Sequence, residues 1–466
     1  MSLFSGAACN VKIPYSITAA CDFNQADSDH MTNTPAANGN QQIFTISVWV
    51  KINKVQEQMI VNNYNNGSYW ASLYFGSDGT LRFDDNRSGY VLKVRSTEKY
   101  NDTNAWYHIV ANYDCSLSTP TAKLFVNGSE VNYLTQTIYS QNATTSWGLD
   151  YNFDIGKGTD LGGNNFDGIM SEFFYIQGYT HDASTFGETD STTGEWKPKT
   201  GVTGLSYDGT GGNSCYLKFE NSSNMDLDSG SNNISLTTTG TLSQTQDNPS
   251  NNFSTLNWNA NKNANQTFTN GNTTHTSSTS WCGAVSSLGA YAGKYYAEFK
   301  IVDRMNYSFG VCQSNGDTFE NLSTANNNLI GKYADAWGFA GNDGTTNNKR
   351  TNNTNTSYGE VFSDGDIAMI AMDVTGGKIY FGRNGTWFDS SNPATGASPA
   401  FTGLTFTESM HFASGMENAN GQWNFGNGYF GTTAISSEGT NASGIGKFEY
   451  DVPSGYTALS TKGLNE

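Results

Sequence analysis

The stretch that most constrains this chain is Gly365 to Phe388, G-D-I-A-M-I-A-M-D-V-T-G-G-K-I-Y-F-G-R-N-G-T-W-F. From Ile367 to Met372 every residue is apolar, a run too short to span a membrane and without the polar stripe of a surface helix. It reads as a strand buried on both faces. Gly376-Gly377 then predicts a two-residue hairpin turn, because both central positions of a type I′ turn need positive φ. Lys378 to Phe381 returns as the partner strand, and Asn384-Gly385 turns the chain again. The same device occurs earlier: Tyr107 to Tyr113, then Lys123 to Val126, then Asn127-Gly128. One construction, a hairpin in the middle of a β-sandwich, is expected twice.

Length agrees with two such units, since all-β sandwiches commonly take about 200–250 residues each and the chain has 466. Charged residues are only 14%, a level that suits a disordered chain as well, but 13% aromatics argues for buried cores. Strand signals recur between turn signals. Ile46, Val48, Val50 and Ile52 alternate with Ser47, Trp49 and Lys51, and Tyr295, Ala297, Phe299 and Ile301 form one apolar face. Further strands are expected at 58–62, 69–75, 80–83, 168–177, 307–311, 336–339, 410–413 and 422–425. Residues 221–252 are nearly all Asn, Ser, Thr, Asp and Gly. The expected organisation is therefore a β-sandwich over 1–220, a polar linker over 221–252 and a second β-sandwich over 253–466, all-β and antiparallel.

The net charge of −18 and the lack of any basic run exclude nucleic-acid phosphates and anionic membrane surfaces as expected partners. The six cysteines show no C-x-x-C or zinc spacing and are expected as buried thiols of a protein assembled in a reducing cytoplasm. No secretion signal is recognised at the start of the sequence, and no stretch approaches the length of a transmembrane helix.

The first half resembles the laminin-G-like, concanavalin-A-type lectin sandwich. The residues that carry this are F-T-I-S-V-W-V-K at 44–51, W-Y-H-I-V-A-N-Y at 106–113, L-F-V-N-G at 124–128 and F-D-G-I-M-S-E-F-F-Y-I-Q-G at 166–178. The second half resembles a SPRY-type sandwich through G-K-Y-Y-A-E-F-K at 293–300, Y-S-F-G-V at 307–311 and the 365–388 hairpin. Segments 184–199, 247–257 and 451–460 resemble tailed-bacteriophage virion structural proteins that combine these modules. That resemblance implies a virion-surface location, other virion proteins as partners and a homo-oligomer, with a trimer favoured.

Glucanases on the concanavalin-type sandwich place carboxylates on one strand as E-x-D-x-E or E-x-D-x-x-E; this chain has no such strand. Glu188-Thr189-Asp190 lies in a Thr/Gly-rich loop, the five histidines are scattered, and neither a phosphate loop nor a G-x-S-x-G elbow occurs. No enzyme activity and no cofactor are expected. Structural Ca²⁺ has only two candidate loops, Asp84-Asp85-Asn86 and Asp226-Leu227-Asp228, and no ligand is assigned.

Glycan binding needs a flat aromatic face beside hydrogen-bonding groups. The candidates are Tyr64, Tyr69, Trp70, Asp85 and Arg87 in the first sandwich and Trp337, Asn342, Asp343, Arg383 and Asn384 in the second. Trp49, Trp106 and Trp387 are expected to be packing residues. The leading expectation is a tail-fibre or spike-like appendage that adheres to host-surface polysaccharide. A capsid decoration or head-fibre protein acting by protein contact is the alternative, and a polysaccharide depolymerase the second alternative.

Overall fold

The computed structural model describes residues 17–159, 162–191, 194–199, 202, 205–206, 214–260, 263–278, 280–321, 329–342 and 345–465. The described residues divide into two compact units, 17–250 and 251–465. Each is an antiparallel β-sandwich, as the strand patterning predicts.

In the first unit a front sheet runs Tyr133–Thr137, Tyr90–Lys99, Thr80–Arg87, Tyr69–Phe75, Gln58–Asn66, Asn152–Ile155, His30–Asn33 and Thr237–Thr239. A back sheet runs Ser129–Glu130, Thr121–Val126, Tyr107–Asp114, Ile43–Ile52, Gly168–Gln177, Ala20–Phe23 and Ser243–Thr245, with Cys215–Leu217 also paired to Gly168–Gln177. Ile46, Val48 and Val50 point between the sheets, against Leu73, Phe83 and Phe153. Trp147 closes one end of this core, with its ring 5.6 Å from Phe44 and 5.9 Å from Phe83. The outer face of the back sheet is covered as well. Phe174, Ile176 and Val110 meet Ala183, Phe186 and Tyr216 there, and Trp49 stacks on His108 at 4.7 Å.

The expected linker is instead part of this sandwich. Thr237–Thr239 pairs with His30–Asn33, and Ser243–Thr245 pairs with Ala20–Phe23, so residues 221–250 close one edge of both sheets. Edge strands pair through backbone groups and need no apolar alternation, so a Thr/Ser-rich strand carries the composition of a loop.

In the second unit one sheet runs Gln266–Thr269, Thr274–Ser277, Ala419–Asn424, Lys294–Asp303, Ile367–Asp373, Lys378–Arg383 and Thr386–Trp387. Thr457–Ala458 pairs with Lys294–Asp303 in parallel. The facing sheet runs Cys282–Val285, Met410–Glu417, Asn306–Gln313, Ala336–Asn342, Asn348–Thr351 and Thr354–Ser357. Ala368, Ile370 and Met372 enter the core between the sheets. Met369 and Ala371 face outward into a second apolar cluster with Tyr296, Tyr380, Phe448, Val452 and Tyr456. That second cluster is why Ile367–Asp373 has no polar face.

Asn127-Gly128 and Asn384-Gly385 form the predicted tight turns, with φ of 47° and 83°, and of 48° and 84°. Gly376-Gly377 does not. Asp373 pairs with Lys378, so the loop is four residues long, and of its two glycines only Gly377 has positive φ, 61°. Val374 is drawn off by a hydrogen bond to the Gly293 carbonyl, and the Asp373 carboxylate accepts the Gly376 N–H. The described cysteines, 21, 115, 215, 282 and 312, are buried thiols. No described helix is long and apolar enough to cross a membrane.

Candidate functional site

Strand Thr80–Arg87 alternates cleanly, sending Leu81 and Phe83 into the core and Arg82, Asp84 and Asn86 to the outer face of the front sheet. Paired residues on neighbouring strands share a face, so the register builds rows across the sheet. Thr32, Asp154, Asn62, Ser72, Asp84 and Lys93 form one polar row. Beside it lies a row of Asn152, Tyr64, Trp70, Asn86 and Tyr90. Tyr74, Arg82 and Arg95 stand on the other side.

Tyr90 is 49% exposed, with the Trp70 ring edge-on at 5.7 Å and Lys93 Nζ 4.6 Å from its ring centre. The Asp84 carboxylate accepts from the Tyr74 hydroxyl at 2.9 Å and from Arg95 at 3.0 Å through Oδ2, while its buried Oδ1 has no hydrogen-bond partner. Asp154 accepts from Thr32 at 2.6 Å through Oδ1, and its Oδ2 is likewise without one. Burial raises the pKa of both acids; Arg95 and Tyr74 oppose the rise at Asp84, and Thr32 and Lys157 at Asp154. The face thus combines aromatic surface, a cation and the amides of Asn86 and Asn152, the chemistry a sugar's rings and hydroxyls require, while the unbonded Asp84 and Asp154 oxygens are buried.

Two sequence candidates, Tyr64 and Trp70, lie on this face. Tyr69, Asp85 and Arg87 have the opposite parity. Asp85 is fully buried, accepts the Ser146 N–H at 2.7 Å, and is pushed by burial up to about 7. Arg87 donates to the Thr145 carbonyl at 2.9 Å, with its guanidinium 5.8 Å from the Tyr69 ring. These residues fasten the 145–146 segment.

Asp84-Asp85-Asn86 is strand rather than loop, and its two acids face opposite sides of the sheet, so they cannot converge on a cation. Asp228 accepts the N–H groups of Tyr216, Gly230 and Ile234, which makes it a turn anchor. Among the described residues no group of His, Cys, Asp and Glu is arranged to hold a metal.

In the second unit Trp337 is buried, pairs with Val311 and meets Phe406 edge-on at 5.4 Å. Asn342 ends its strand, with its side chain outside the description, and Asp343 lies outside the described residues. Arg383, on the other sheet, binds Glu360 and the Val361 carbonyl. Asn384 accepts the Ile367 N–H at 2.8 Å and donates to Asp366 at 2.7 Å, holding the hairpin end.

Tyr90, Tyr74 and Arg95 were not singled out from the sequence, and Asp84 only within a candidate Ca²⁺ loop. Their signal was the alternation in T-L-R-F-D-D-N-R and Y-V-L-K-V-R, legible only once the register is known.

Residues 25–177 match the concanavalin A-like lectin/glucanases superfamily, and residues 294–428 match the SPRY domain. The chain joins a concanavalin A-like domain to a SPRY domain. Among solved structures, the PSpry domain of TRIM65 shares 13% identity over 37% of this chain and 88% of its own, with a TM-score of 0.29. The SPRY domain of human HERC1 shares 17% over 35% and 93%, with a TM-score of 0.27. The native heptameric SAP-like pentraxin from Limulus polyphemus shares 15% over 36% and 80%, also with a TM-score of 0.27. Comparison with curated proteins gives no match.

The superfamily that the concanavalin A-like domain matches includes glucanases, so the placement of its acids matters. On the front sheet Asp84 and Asp154 share a row but are three strand spacings apart, ~14 Å between backbones. Glycosidase pairs stand about 5–5.5 Å apart when retaining and about 6.5–9.5 Å apart when inverting. Glu172, at a bulge with φ 50°, belongs to the back sheet and is held by the Tyr216 hydroxyl.

The domain's buried Ser–His contact has the wrong polarity for a nucleophile. Trp196 Nε1, which can only donate, points at His108 Nδ1 at 3.0 Å, leaving the ring's proton on Nε2 facing Ser47 Oγ at 3.0 Å. Burial lowers this imidazole to about 3, so it is neutral and already donating.

Proposed function

We propose that this chain is a non-enzymatic adhesion protein whose concanavalin A-like domain takes host-surface polysaccharide on the outer face of its front sheet. The observation that carries the reading is the row Tyr64–Trp70–Asn86–Tyr90, in which Tyr90 is half exposed with Lys93 beside its ring. Sugar rings stack on Tyr90 and the edge of Trp70, and hydroxyls meet the Asn86 and Asn152 amides and Lys93. The setting we propose is the exterior of a tailed-bacteriophage virion, as a tail-fibre or spike-like appendage assembled in the host cytoplasm. There it works beside other virion proteins as a homo-oligomer, with a trimer favoured. This finer reading is supported by the resemblance of the segments at 184–199, 247–257 and 451–460 to such virion proteins.

The test is retention of the full chain on immobilised host polysaccharide, compared with Trp70→Ala. Loss of the ring is expected to weaken binding about tenfold, the equivalent of roughly 1.4 kcal/mol of stacking and burial. Equal retention of both proteins, or none by the unaltered chain, removes the proposal. Release of new reducing ends from the polysaccharide would make the protein a depolymerase instead.

A further inference from the structure

On the outer face of the back sheet Lys51 stands in register with Ile169 and, one strand further, with Asp22. The chain leaving the strand Ser243–Thr245 sets Asp247 against Lys51, with Nζ 2.7 Å from Oδ2 and each side chain only 2% exposed. The Trp106 indole N–H donates to the other carboxylate oxygen at 3.1 Å, fixing the plane of the group. The partners are 196 residues apart in sequence, yet both are immobilised.

Amines and carboxylates resist condensation in water because both ions are well hydrated and meet only by chance. Burial removes the hydration, and fixed placement replaces the encounter. We propose that Lys51 and Asp247 condense spontaneously into an intramolecular isopeptide bond that closes the first sandwich covalently.

The step balances without any co-reactant. The ammonium gives up two of its three protons, and the freed Nζ lone pair forms a C–N bond with Cγ of Asp247. The C–Oδ2 bond breaks, and that oxygen leaves with the two protons as water. One proton stays on the amide nitrogen, and both charges vanish. Trp106 polarises the carbonyl that remains. Asp22 supplies the acid: burial first, and then the charges of Asp167, Asp29 and Asp247, push its carboxyl up to about 8, so it is protonated at neutral pH. Its Oδ1 is shielded from water and has no hydrogen-bond partner. The product amide needs no hydration and keeps the indole hydrogen bond, whereas the ion pair must stay desolvated for the life of the protein.

Intact-mass measurement on the purified full chain tests this directly. The protein is expected to be lighter than its sequence by one water, and digestion is expected to yield a branched peptide joining residues 51 and 247. Lys51→Arg keeps the ion pair but cannot form this amide, and is expected at full sequence mass. Asp22→Asn leaves the pair in place and is expected to lose water more slowly than the unaltered chain. Full sequence mass in the unaltered folded protein overturns the proposal, as does loss of water persisting in Lys51→Arg.

Discussion

The outer faces of two sheets, one in each unit, meet opposite fates. In the concanavalin A-like domain the front sheet presents Arg82, Asp84, Asn86, Trp70 and Tyr90 outward, and the apolar clusters of that unit lie elsewhere, between its sheets and behind its back sheet. In the SPRY unit the corresponding position on Ile367–Asp373 is Met369 and Ala371, and the chain's own 445–458 segment lies over them. That segment is latched as well as packed. Glu298, on the same outer face, accepts the N–H groups of Glu449 at 2.9 Å and Tyr450 at 2.8 Å, an Asn424 amide at 3.1 Å and the Tyr296 hydroxyl at 3.0 Å. The lesson is that a sandwich has four faces. An apolar outer face demands a cover from the same chain, whereas a polar and aromatic one is free to meet something else.

The contrast predicts unequal responses to substitution. The largest concerns the cover itself: Phe448→Ala removes a fully buried ring packed on Tyr296 and should cost about 3–5 kcal/mol, measured by denaturant unfolding of the full chain. A loss below 1 kcal/mol would mean the segment merely rests on the sheet.

Next is the latch. Burial pushes the Glu298 carboxyl from its ordinary 4.5 up to about 7, with the four donors pulling against it. The folded state therefore holds an extra proton between about pH 4.5 and pH 7, so stability should fall as pH rises through that window, by at most ~3 kcal/mol. Glu298→Gln should make that part of the profile shallower, with Asp85 and Asp22, also raised by burial, supplying the slope that remains. An unchanged slope would place the titration elsewhere.

The smallest effect on stability belongs to the open face. Tyr90→Ala should change unfolding free energy by less than ~0.5 kcal/mol while weakening polysaccharide retention. A large loss of stability there would show that Tyr90 covers the sheet, and the comparison would fail.

Much of this architecture was legible before the coordinates. The alternation at 46–52 and 295–301, the all-apolar run at 367–372 and the two Asn-Gly turns each state a local requirement that only one backbone arrangement meets. The Gly376-Gly377 turn misled because a distant carbonyl, that of Gly293, competes for Val374. The edge strands at 237–245 were silent because their pairing is made by the backbone alone. The candidate site was legible by halves. Tyr64 and Trp70 were picked out as aromatics near turns, but so were Tyr69 and Arg87, which point the other way.

What the amino-acid order determined by itself is therefore the class of fold, since side-chain period and turn chemistry are properties of a few consecutive residues. Which strands lie side by side, which face stays open and which distant groups meet are decided only in the tertiary structure. Register and covering arise from pairings more than a hundred residues apart, such as Lys51 with Asp247 or Glu298 with Tyr450, and no local window contains them.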